Sequence, residues 1–508
     1  MVHRGKLSAA CKPCRSRRLK CDQQKPSCSQ CIRAKRECSG YRDVGAIRVH
    51  NQTEEVKRKV SSCAPSPSPP SPPPLSQRRR VDEYGALVRQ QPSLPINDQG
   101  TAFVIARYLT RDGPSEARGP VGLFLPHVSN TPSGRAVMAS LNAVGLAALS
   151  NIYMSPKLGV SARQEYITAL AETNAALGDP IQATSDASVI AVIFLSMYEI
   201  MTCNGPPLMD KFLNHVEGCT KLLELRGTDQ LKTSVGLGLF SQFRMTILLG
   251  NLWLKRPTPS FLIDLSKESL ACCGEKSRMG DELFFHLARV GDLCAGLRNG
   301  AVIDPVKVVK EALKLDAELS SWAMEVEPER RYTVVDFPES TNAVNAYASF
   351  RLIYGSQYHV YPDTIVSSCW NDYRLSRLIL LELICVLCDH LARKDGPTGA
   401  EYRQTVARST TLSRQLCEDI CASVPYHLGA TQTSPAEDLS SSRTGGVLRL
   451  IWPLFIAADC AGASPEMVEW ISQCLFRIGH GVGIQQALVM SGSLRAGLHL
   501  TWLPELGK

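Results

Sequence analysis

The sequence predicts a mainly α-helical protein in three parts: a small metal-folded head, an extended linker and a large all-α body. Three observations lead to this prediction. Six cysteines recur at fixed spacing between residues 11 and 38, a proline-serine tract occupies residues 64–80, and helical periodicity without convincing alternating strands fills the chain beyond residue 100. At 508 residues the chain is long enough for several domains and a sizeable core.

The charge of the head sets it apart from the body. Residues 1–60 hold 16 Lys and Arg against 5 Asp and Glu, a balance of +11, whereas the whole chain carries +8. The remaining residues therefore sum to −3. Such concentrated positive charge suits a polyanion, with nucleic acid as the first candidate and an acidic membrane as the second.

The six head cysteines form the pattern C-x2-C-x6-C twice, at positions Cys11, Cys14, Cys21, Cys28, Cys31 and Cys38. Two cysteines separated by two residues can bind one ion from a tight turn, and six further residues make nearly two helical turns, which returns a third sulfur. Each half then offers three ligands, one short of the four that zinc prefers. Two Zn²⁺ ions are satisfied if two thiolates each bridge both ions.

The basic residues around the first half have two roles. Lys12, Arg15, Arg17, Arg18 and Lys20 favour deprotonated sulfur. They also exceed what a cluster of two Zn²⁺ and six thiolates, with a net charge of −2, requires for neutralisation. The surplus charge is therefore expected to face a partner.

With these residues, the segment "CKPCRSRRLKCDQQKPSCSQCIRAKREC" resembles the fungal Zn₂Cys₆ binuclear zinc-cluster transcription factors. The resemblance includes all six cysteines, the basic run before Cys21, Asp22 and Pro26. It implies a DNA-binding domain over residues 8–42 in which Cys11 and Cys28 bridge two zinc ions. One ion would then be held by Cys11, Cys14, Cys21 and Cys28, and the other by Cys11, Cys28, Cys31 and Cys38.

The resemblance also implies how DNA is bound. The short helix after Cys14 would present its C-terminal end to the major groove, with Arg17 and Arg18 facing CGG-type triplets. Guanine offers O6 and N7 side by side, and Arg is a usual bidentate donor to them. In the second half Glu37 offsets the basic residues, which are therefore expected to hold phosphates. The full predicted DNA-binding set is Arg15, Arg17, Arg18, Lys20, Arg33, Lys35 and Arg36.

Other interpretations of the head are weaker or remain open. A disulfide knot needs an oxidising compartment, and the first residues show no apolar run typical of a secretory signal peptide. A metallothionein-like buffer would contain more cysteine and less arginine. A zinc-folded protein-interaction module and RNA binding both remain open as alternatives.

Residues 43–100 are predicted to be a largely disordered, Pro/Ser-rich linker. Val49, Val56 and Val60 give a single heptad, which is too short to hold two helices together. Residues 77–80 are interpreted either as a nuclear-import signal or as solvated charge. If the protein forms a homodimer, the contact is therefore expected in the helical body.

The body, residues 101–508, is predicted to be an array of ten or more helices. Asp304-Pro305 and Ser464-Pro465 each predict an N-cap followed by proline at the first helical position. The apolar run from Val189 to Met201 is too short and, with Glu199, too polar to cross a bilayer, so it predicts a buried helix. Helices are expected over residues 136–153, 162–177, 186–203, 210–227, 237–254, 281–298, 341–360, 372–393, 401–423, 446–460 and 465–480.

The body resembles the fungal-specific transcription-factor domain in "AVGLAALSN", in the helix ending "LSMYE" and in "LIWPLFIAADC". That resemblance implies a regulatory role, with the transcription machinery or co-regulators as partners. No enzyme is predicted, because Gly236-Leu-Gly238 lacks a dinucleotide motif's third glycine. Cys385 and Cys388 form a CxxC without a second ligand pair, so these two cysteines are interpreted as core residues. The same interpretation applies to Cys272, Cys273, Cys417 and Cys421.

Together these features predict a nuclear, sequence-specific regulator of RNA polymerase II genes that binds double-stranded DNA, contains two structural Zn²⁺ ions and has no membrane partner. Control of a secondary-metabolite biosynthetic gene cluster is a hypothesis from the resemblance. The alternative is a nuclear zinc-cluster interaction scaffold that binds nucleic acid without sequence preference.

Overall fold

The computed structural model describes residues 10–17, 19–41, 95–109, 131–205, 210–272, 278–298, 304–337, 352–393, 397–433 and 444–498. The chain divides into two compact units, Met1–Gln91 and Pro92–Lys508. The linker tract, the single heptad, Arg18 and Cys273 lie outside the described residues. The described part of the first unit contains two short helices, α1 (Lys12–Ser16) and α2 (Ser29–Arg33).

The second unit is built from helices, with one small hairpin-like pair of strands in its described part. Its elements, in chain order, are α3 (Ile96–Val104), α4 (Pro132–Ile152), α5 (Pro156–Leu177), α6 (Pro180–Ala183), α7 (Asp186–Met201), α8 (Asp210–Arg226), α9 (Ser234–Leu254), α10 (Ser260–Cys272), α11 (Arg278–Arg298), α12 (Pro305–Glu325), β1 (Thr333–Asp336), β2 (Gln357–Val360), α13 (Thr364–Ala392), α14 (Pro397–His427), α15 (Thr444–Asp459), α16 (Pro465–Val482) and α17 (Gln485–Arg495). The predicted mainly α-helical fold is confirmed.

Helix starts follow the capping chemistry that the sequence predicts. Asp304 caps α12, since its Oδ1 accepts a hydrogen bond from the backbone N–H of Val306 at 3.0 Å. Ser464 caps α16 in the same way, through the N–H of Met467 at 3.2 Å. In both helices proline occupies the first position, where no backbone donor is needed. These two predicted N-caps are confirmed.

The helix predicted over residues 341–360 is wrong where the structure describes it. Residues 357–360 form β2, which pairs antiparallel with β1, with Val334 opposite His359. The segment contains aromatic and β-branched residues, which fit a strand. Gly355, at φ +70°, lies just before the segment, so no helix runs into it. The prediction that strands are absent is corrected by this one pair. Helices α3, α6, α10 and α17 were not predicted.

Burial of apolar side chains holds the second unit together. The run from Val189 to Met201 lies in α7, where Val189, Ile190 and Ala191 are fully buried, as predicted for a core helix. Among the described helices, α4 alone is long and apolar enough to cross a membrane, and 72% of its most apolar window is buried in the protein. That degree of burial is typical of a core helix.

One ion pair also lies in this core. Arg244 of α9 donates from Nη2 to Asp281 Oδ1 of α11, and the two side chains are only 3% and 0% exposed. The guanidinium lies 5.6 Å from the ring centroid of Phe240 and 5.0 Å from that of Phe284. Aromatic faces therefore surround a charge that water does not reach.

Candidate metal centre and nucleic-acid interface

The two halves of the cysteine repeat fold in the same way. Cys14 lies in α1 and Cys31 lies in α2, and each helix is followed by a turn that reverses the chain. The N–H of Leu19 donates to the carbonyl of Cys14 at 2.9 Å, and the N–H of Arg36 donates to the carbonyl of Cys31 at 3.0 Å. These equivalent bonds bring the last cysteine of each half back towards the first two.

The structure brings all six predicted cysteines together in two overlapping groups. The sulfurs of Cys11, Cys14, Cys21 and Cys28 lie within 4.8 Å of one another, as do those of Cys11, Cys28, Cys31 and Cys38. Cys11 and Cys28 belong to both groups. They are the two cysteines that the family resemblance names as bridges.

The sulfur separations fit two zinc tetrahedra that share an edge. Zinc–sulfur bonds of about 2.3 Å in a tetrahedron imply sulfur–sulfur edges of roughly 3.8 Å. The Sγ–Sγ distance is 3.7 Å between Cys11 and Cys28, 3.6 Å between Cys14 and Cys28, and 3.9 Å between Cys11 and Cys21. In the second group it is 3.7 Å between Cys11 and Cys31. No disulfide joins the described cysteines, and the donor set is the all-thiol set typical of structural zinc.

The electrostatics of the bare sulfur cluster also fit a cation. Burial raises the pKa of the Cys14 thiol far above its ordinary value and raises that of Cys31 to about 12. Backbone hydrogen bonding at Cys28 lowers the pKa of Cys38 to about 7. The thiols of Cys14 and Cys31 would therefore stay protonated at neutral pH without a positive charge beside them. A divalent metal ion supplies that charge and binds the thiolate form.

The loop between the halves is held by a carboxylate. Asp22 accepts hydrogen bonds from the backbone N–H of Ser29 at 3.2 Å and from the Ser29 hydroxyl, and the hydroxyl bond lowers the pKa of Asp22. The Tyr41 hydroxyl donates to the carbonyl of Gln24. Asp22 thus covers the N-terminal end of α2 and fixes the position of Cys28 relative to Cys21.

The described basic side chains of the head are exposed to solvent. Of the predicted DNA-binding set, Arg17, Lys20, Arg33, Lys35 and Arg36 are exposed, and none forms an ion pair with another described residue. Lys12, which the sequence places beside the cluster, is exposed as well. The side chain of Arg15 and the whole of Arg18 lie outside the described residues. The described surface of the head is therefore strongly positive and available to an anion.

The described side chains of Cys385, Cys388, Cys417 and Cys421 behave as the core residues that the sequence predicts. Cys388, Cys417 and Cys421 are fully buried in the second unit. Cys385, half-buried, lies 3.9 Å from the carbonyl of Val406 and from the Thr410 hydroxyl. Burial raises the pKa of Cys388 to about 11, so it stays a neutral thiol. Among the described residues, metal-like clusters of three or more ligands occur only in the head.

Comparisons with known families identify two domains. The fungal Zn(2)-Cys(6) binuclear cluster domain matches residues 9–44, and the fungal specific transcription factor domain matches residues 115–267. The chain thus carries both domains of the fungal Zn₂Cys₆ transcription factors, as the sequence predicts. The first of these domains is named for a cluster of two zinc ions and six cysteines, so the match implies zinc binding.

Curated relatives agree with these domains but match only part of the chain. Transcription factor dbaG of Emericella nidulans is 32% identical over 27% of this chain and 33% of its own length. White-opaque regulator 2 of Candida albicans is 49% identical over 7% of this chain and 8% of its own length. Putative transcription factor ecdB of Aspergillus rugulosus is 37% identical over 14% of each chain. No solved structure matches the chain.

Proposed function

We propose that this chain, which carries both domains of the fungal Zn₂Cys₆ transcription factors, is a nuclear, sequence-specific DNA-binding regulator of RNA polymerase II genes. The observation that carries the proposal is the arrangement of the head. Six sulfurs in two edge-sharing groups lie inside a shell of exposed Lys and Arg. The sulfur cluster explains how so short a segment folds, and the exposed positive charge explains why its partner should be a polyanion such as DNA.

The proposed metal ligands are the six cysteines of the repeat, with Cys11 and Cys28 shared between two Zn²⁺ ions. When bound, zinc supplies the folding energy of the head and no catalysis. The protein's own residues then fix the DNA-binding surface. The turn after α1 presents Arg17 next to the cluster, and the corresponding turn after α2 presents Lys35 and Arg36.

Sequence recognition is assigned to the first turn. Arg17, together with Arg18, would donate from its guanidinium to O6 and N7 of guanine in a CGG-type triplet. Arg15 and Lys20 complete the basic surface of the first half. Arg33, Lys35 and Arg36 would bind phosphates, which position the head on the duplex without reading its sequence.

The experiment compares duplexes at physiological salt. The zinc-loaded chain is titrated into a duplex that contains CGG triplets and into one in which the same bases are scrambled. We expect the CGG duplex to bind at least tenfold more tightly. Equal affinity for the two duplexes would instead support the alternative function, a nuclear zinc-cluster scaffold that holds nucleic acid without sequence preference.

The regulated genes are proposed from family resemblance alone. We propose that the chain acts on a secondary-metabolite biosynthetic gene cluster, with its helical unit contacting the transcription machinery or co-regulators. Genome-wide occupancy, measured together with transcript levels after deletion of the gene, tests this proposal. Occupancy restricted to promoters whose transcripts do not change would contradict it.

A further inference from the structure

Tyr41 lies against the sulfur cluster of the head. Four of the six cysteines are 0–2% exposed, whereas Cys21 and Cys38, the last cysteine of each half, are only partly buried. Tyr41 is also partly buried and packs against the same cluster. It is the only aromatic residue in the described part of the head. The cluster is therefore most accessible to solvent at Cys21 and Cys38, and one aromatic side chain lies beside it.

The hydroxyl of Tyr41 joins the two halves of the cysteine repeat. It donates a hydrogen bond to the carbonyl of Gln24, which lies in the loop after Cys21. Tyr41 itself follows Cys38 by three residues. This hydrogen bond therefore connects the chain just after the last sulfur of the first half to the chain just after the last sulfur of the second half.

The hydroxyl is also close to the sulfurs. Burial, and after it the nearby charge of Cys38, raises the pKa of the Tyr41 hydroxyl to about 12, so this group stays a hydrogen-bond donor at physiological pH. Asp22 holds the same loop through the backbone N–H of Ser29 at 3.2 Å. The loop between the halves is therefore held at two points, of which only the contact with Tyr41 involves the chain after Cys38.

The residue before Tyr41 has a conformation that favours glycine. Gly40 adopts φ +75°, which lies in the left-handed region. A Cβ added at Gly40 would meet no atom within 4 Å other than those of its chain neighbours, so there is space for a side chain. Glycine is therefore required here by the backbone conformation that leads into Tyr41, and not by close packing.

We propose that Tyr41 is a positioning residue that controls how fast the head releases zinc. Its ring covers the sulfurs that water and competing ligands reach first, and its hydrogen bond to Gln24 holds Cys21 and Cys38 in place relative to each other. Groups that exclude solvent from a metal site and orient its ligands typically change metal affinity 10–100-fold when they are removed.

The role of Tyr41 depends on the proposed six-cysteine ligand set but not on base recognition. Tyr41 is uncharged and does not belong to the predicted DNA-binding set. Zinc retention and sequence preference should therefore be separable in this protein. Tyr41→Ala should lose zinc quickly to a chelator. With zinc in excess, it should keep the wild-type ratio of affinities for CGG and scrambled duplexes.

The first test measures the rate of zinc release from the zinc-loaded, full-length chain to the coloured chelator 4-(2-pyridylazo)resorcinol. We expect Tyr41→Ala to release zinc at least about tenfold faster than the wild type. Tyr41→Phe keeps the ring and loses the hydrogen bond, so its rate should lie between those two. The matched control is Ile32→Ala, because Ile32 is an apolar head residue that is 63% exposed and does not pack against the cluster. Its rate should equal that of the wild type.

The second test changes the backbone before Tyr41. Gly40→Ala should also speed zinc release, because alanine disfavours the left-handed region. Gly40→Asn should have a smaller effect, since asparagine tolerates that region better. With Co²⁺ bound in place of zinc, Tyr41→Ala should show the same visible absorption bands as the wild type, because all six sulfur ligands remain.

Two kinds of result would overturn the proposal, and they can be told apart. A wild-type chain that holds fewer than two zinc ions would overturn the ligand set and the role of Tyr41 together. If the wild type holds two ions, three results would overturn the role of Tyr41 alone: unchanged zinc release in Tyr41→Ala, equal rates for Tyr41→Phe and Tyr41→Ala, or altered cobalt absorption bands in Tyr41→Ala.

Discussion

The two units of this chain have interiors of different chemistry. In the described part of the head, the buried side chains are Ala10 and four cysteines, Cys11, Cys14, Cys28 and Cys31. In the helical unit the buried set consists mainly of Leu, Ile, Val, Ala and aromatic residues from almost every helix. The head therefore has a core of clustered cysteine thiols, whereas the body has an ordinary hydrophobic core.

This difference decides what stabilises each unit. A segment of about 35 residues cannot bury enough apolar surface to fold alone, so its folding energy must come from the metal. The body buries most of its apolar residues and depends on packing density and on satisfying the few polar groups inside it. A change that unfolds one unit should therefore leave the other folded.

Removal of zinc should give the largest difference between the two units. Structural zinc contributes roughly 10–16 kcal/mol of apparent binding energy to small zinc domains, so chelation should unfold the head and abolish specific DNA binding. The helical signal of the full chain at 222 nm should change little, because the described helices α1 and α2 contain only ten of its residues. Metal analysis should find two zinc ions per chain before chelation. One ion, or a head that survives strong chelators, would contradict the proposed ligand set.

Two cysteine substitutions provide the matched test of the same point. Cys14→Ala removes a proposed ligand and should abolish DNA binding. Cys388→Ala removes a buried sulfur of the body and should lower the stability of the body by ~1 kcal/mol, with DNA affinity unchanged. If both variants lost DNA binding to the same extent, the two cysteine environments would not differ as the structure indicates.

Loss of the buried ion pair should destabilise the body and leave the head folded. Asp281→Ala leaves the guanidinium of Arg244 buried without its partner, which should cost about 3–5 kcal/mol in unfolding free energy of the body. Chemical denaturation followed by helicity measures this cost, and zinc content should stay at the wild-type value. The pair is also incompletely hydrogen-bonded among the described residues, since three of its polar atoms have no partner: Nε and Nη1 of Arg244 and Oδ2 of Asp281.

The control for the ion pair is its replacement by apolar residues. Arg244→Met combined with Asp281→Leu removes both charges and keeps most of the volume, so it should be within about 1 kcal/mol of the wild type. If the double variant were as unstable as Asp281→Ala, the cost would come from lost packing against Phe240 and Phe284 and not from an unpaired charge.

The sequence predicted the head in more detail than the body, for a physical reason. Coordination chemistry ties residue identity to position, so the spacing of Cys11 to Cys38 indicates which sulfurs come together, and the structure places them so. Capping chemistry is equally local, which is why Asp304 and Ser464 were predicted as N-caps. The pairing of β1 with β2 and the Arg244–Asp281 contact depend on which elements become neighbours in the fold. No local pattern encodes that choice.

Within the head, removal of the two arginines proposed to contact bases should have a smaller effect than loss of zinc. Arg18→Ala, and Arg17→Ala to a lesser extent, should cost about 1–3 kcal/mol on a CGG duplex and relax the base preference. The zinc content and the stability of the body should not change. The ratio of affinities for CGG and scrambled duplexes is the decisive measurement. An unchanged ratio for Arg18→Ala would exclude the proposed major-groove contact.

The smallest expected effect concerns Lys35, the counterpart of Arg18 in the second half of the repeat. Lys35 is exposed at the turn after α2, where its backbone adopts φ +45°. An ammonium on a flexible stem binds phosphate as a point charge and does not distinguish bases. Lys35→Ala should therefore weaken binding to CGG and scrambled duplexes by the same factor. The slope of log affinity against log salt concentration should fall by about one unit, as expected when one phosphate contact is lost. A larger loss on CGG than on the scrambled duplex would show that both halves of the head read bases, and the division of labour between its two turns would be wrong.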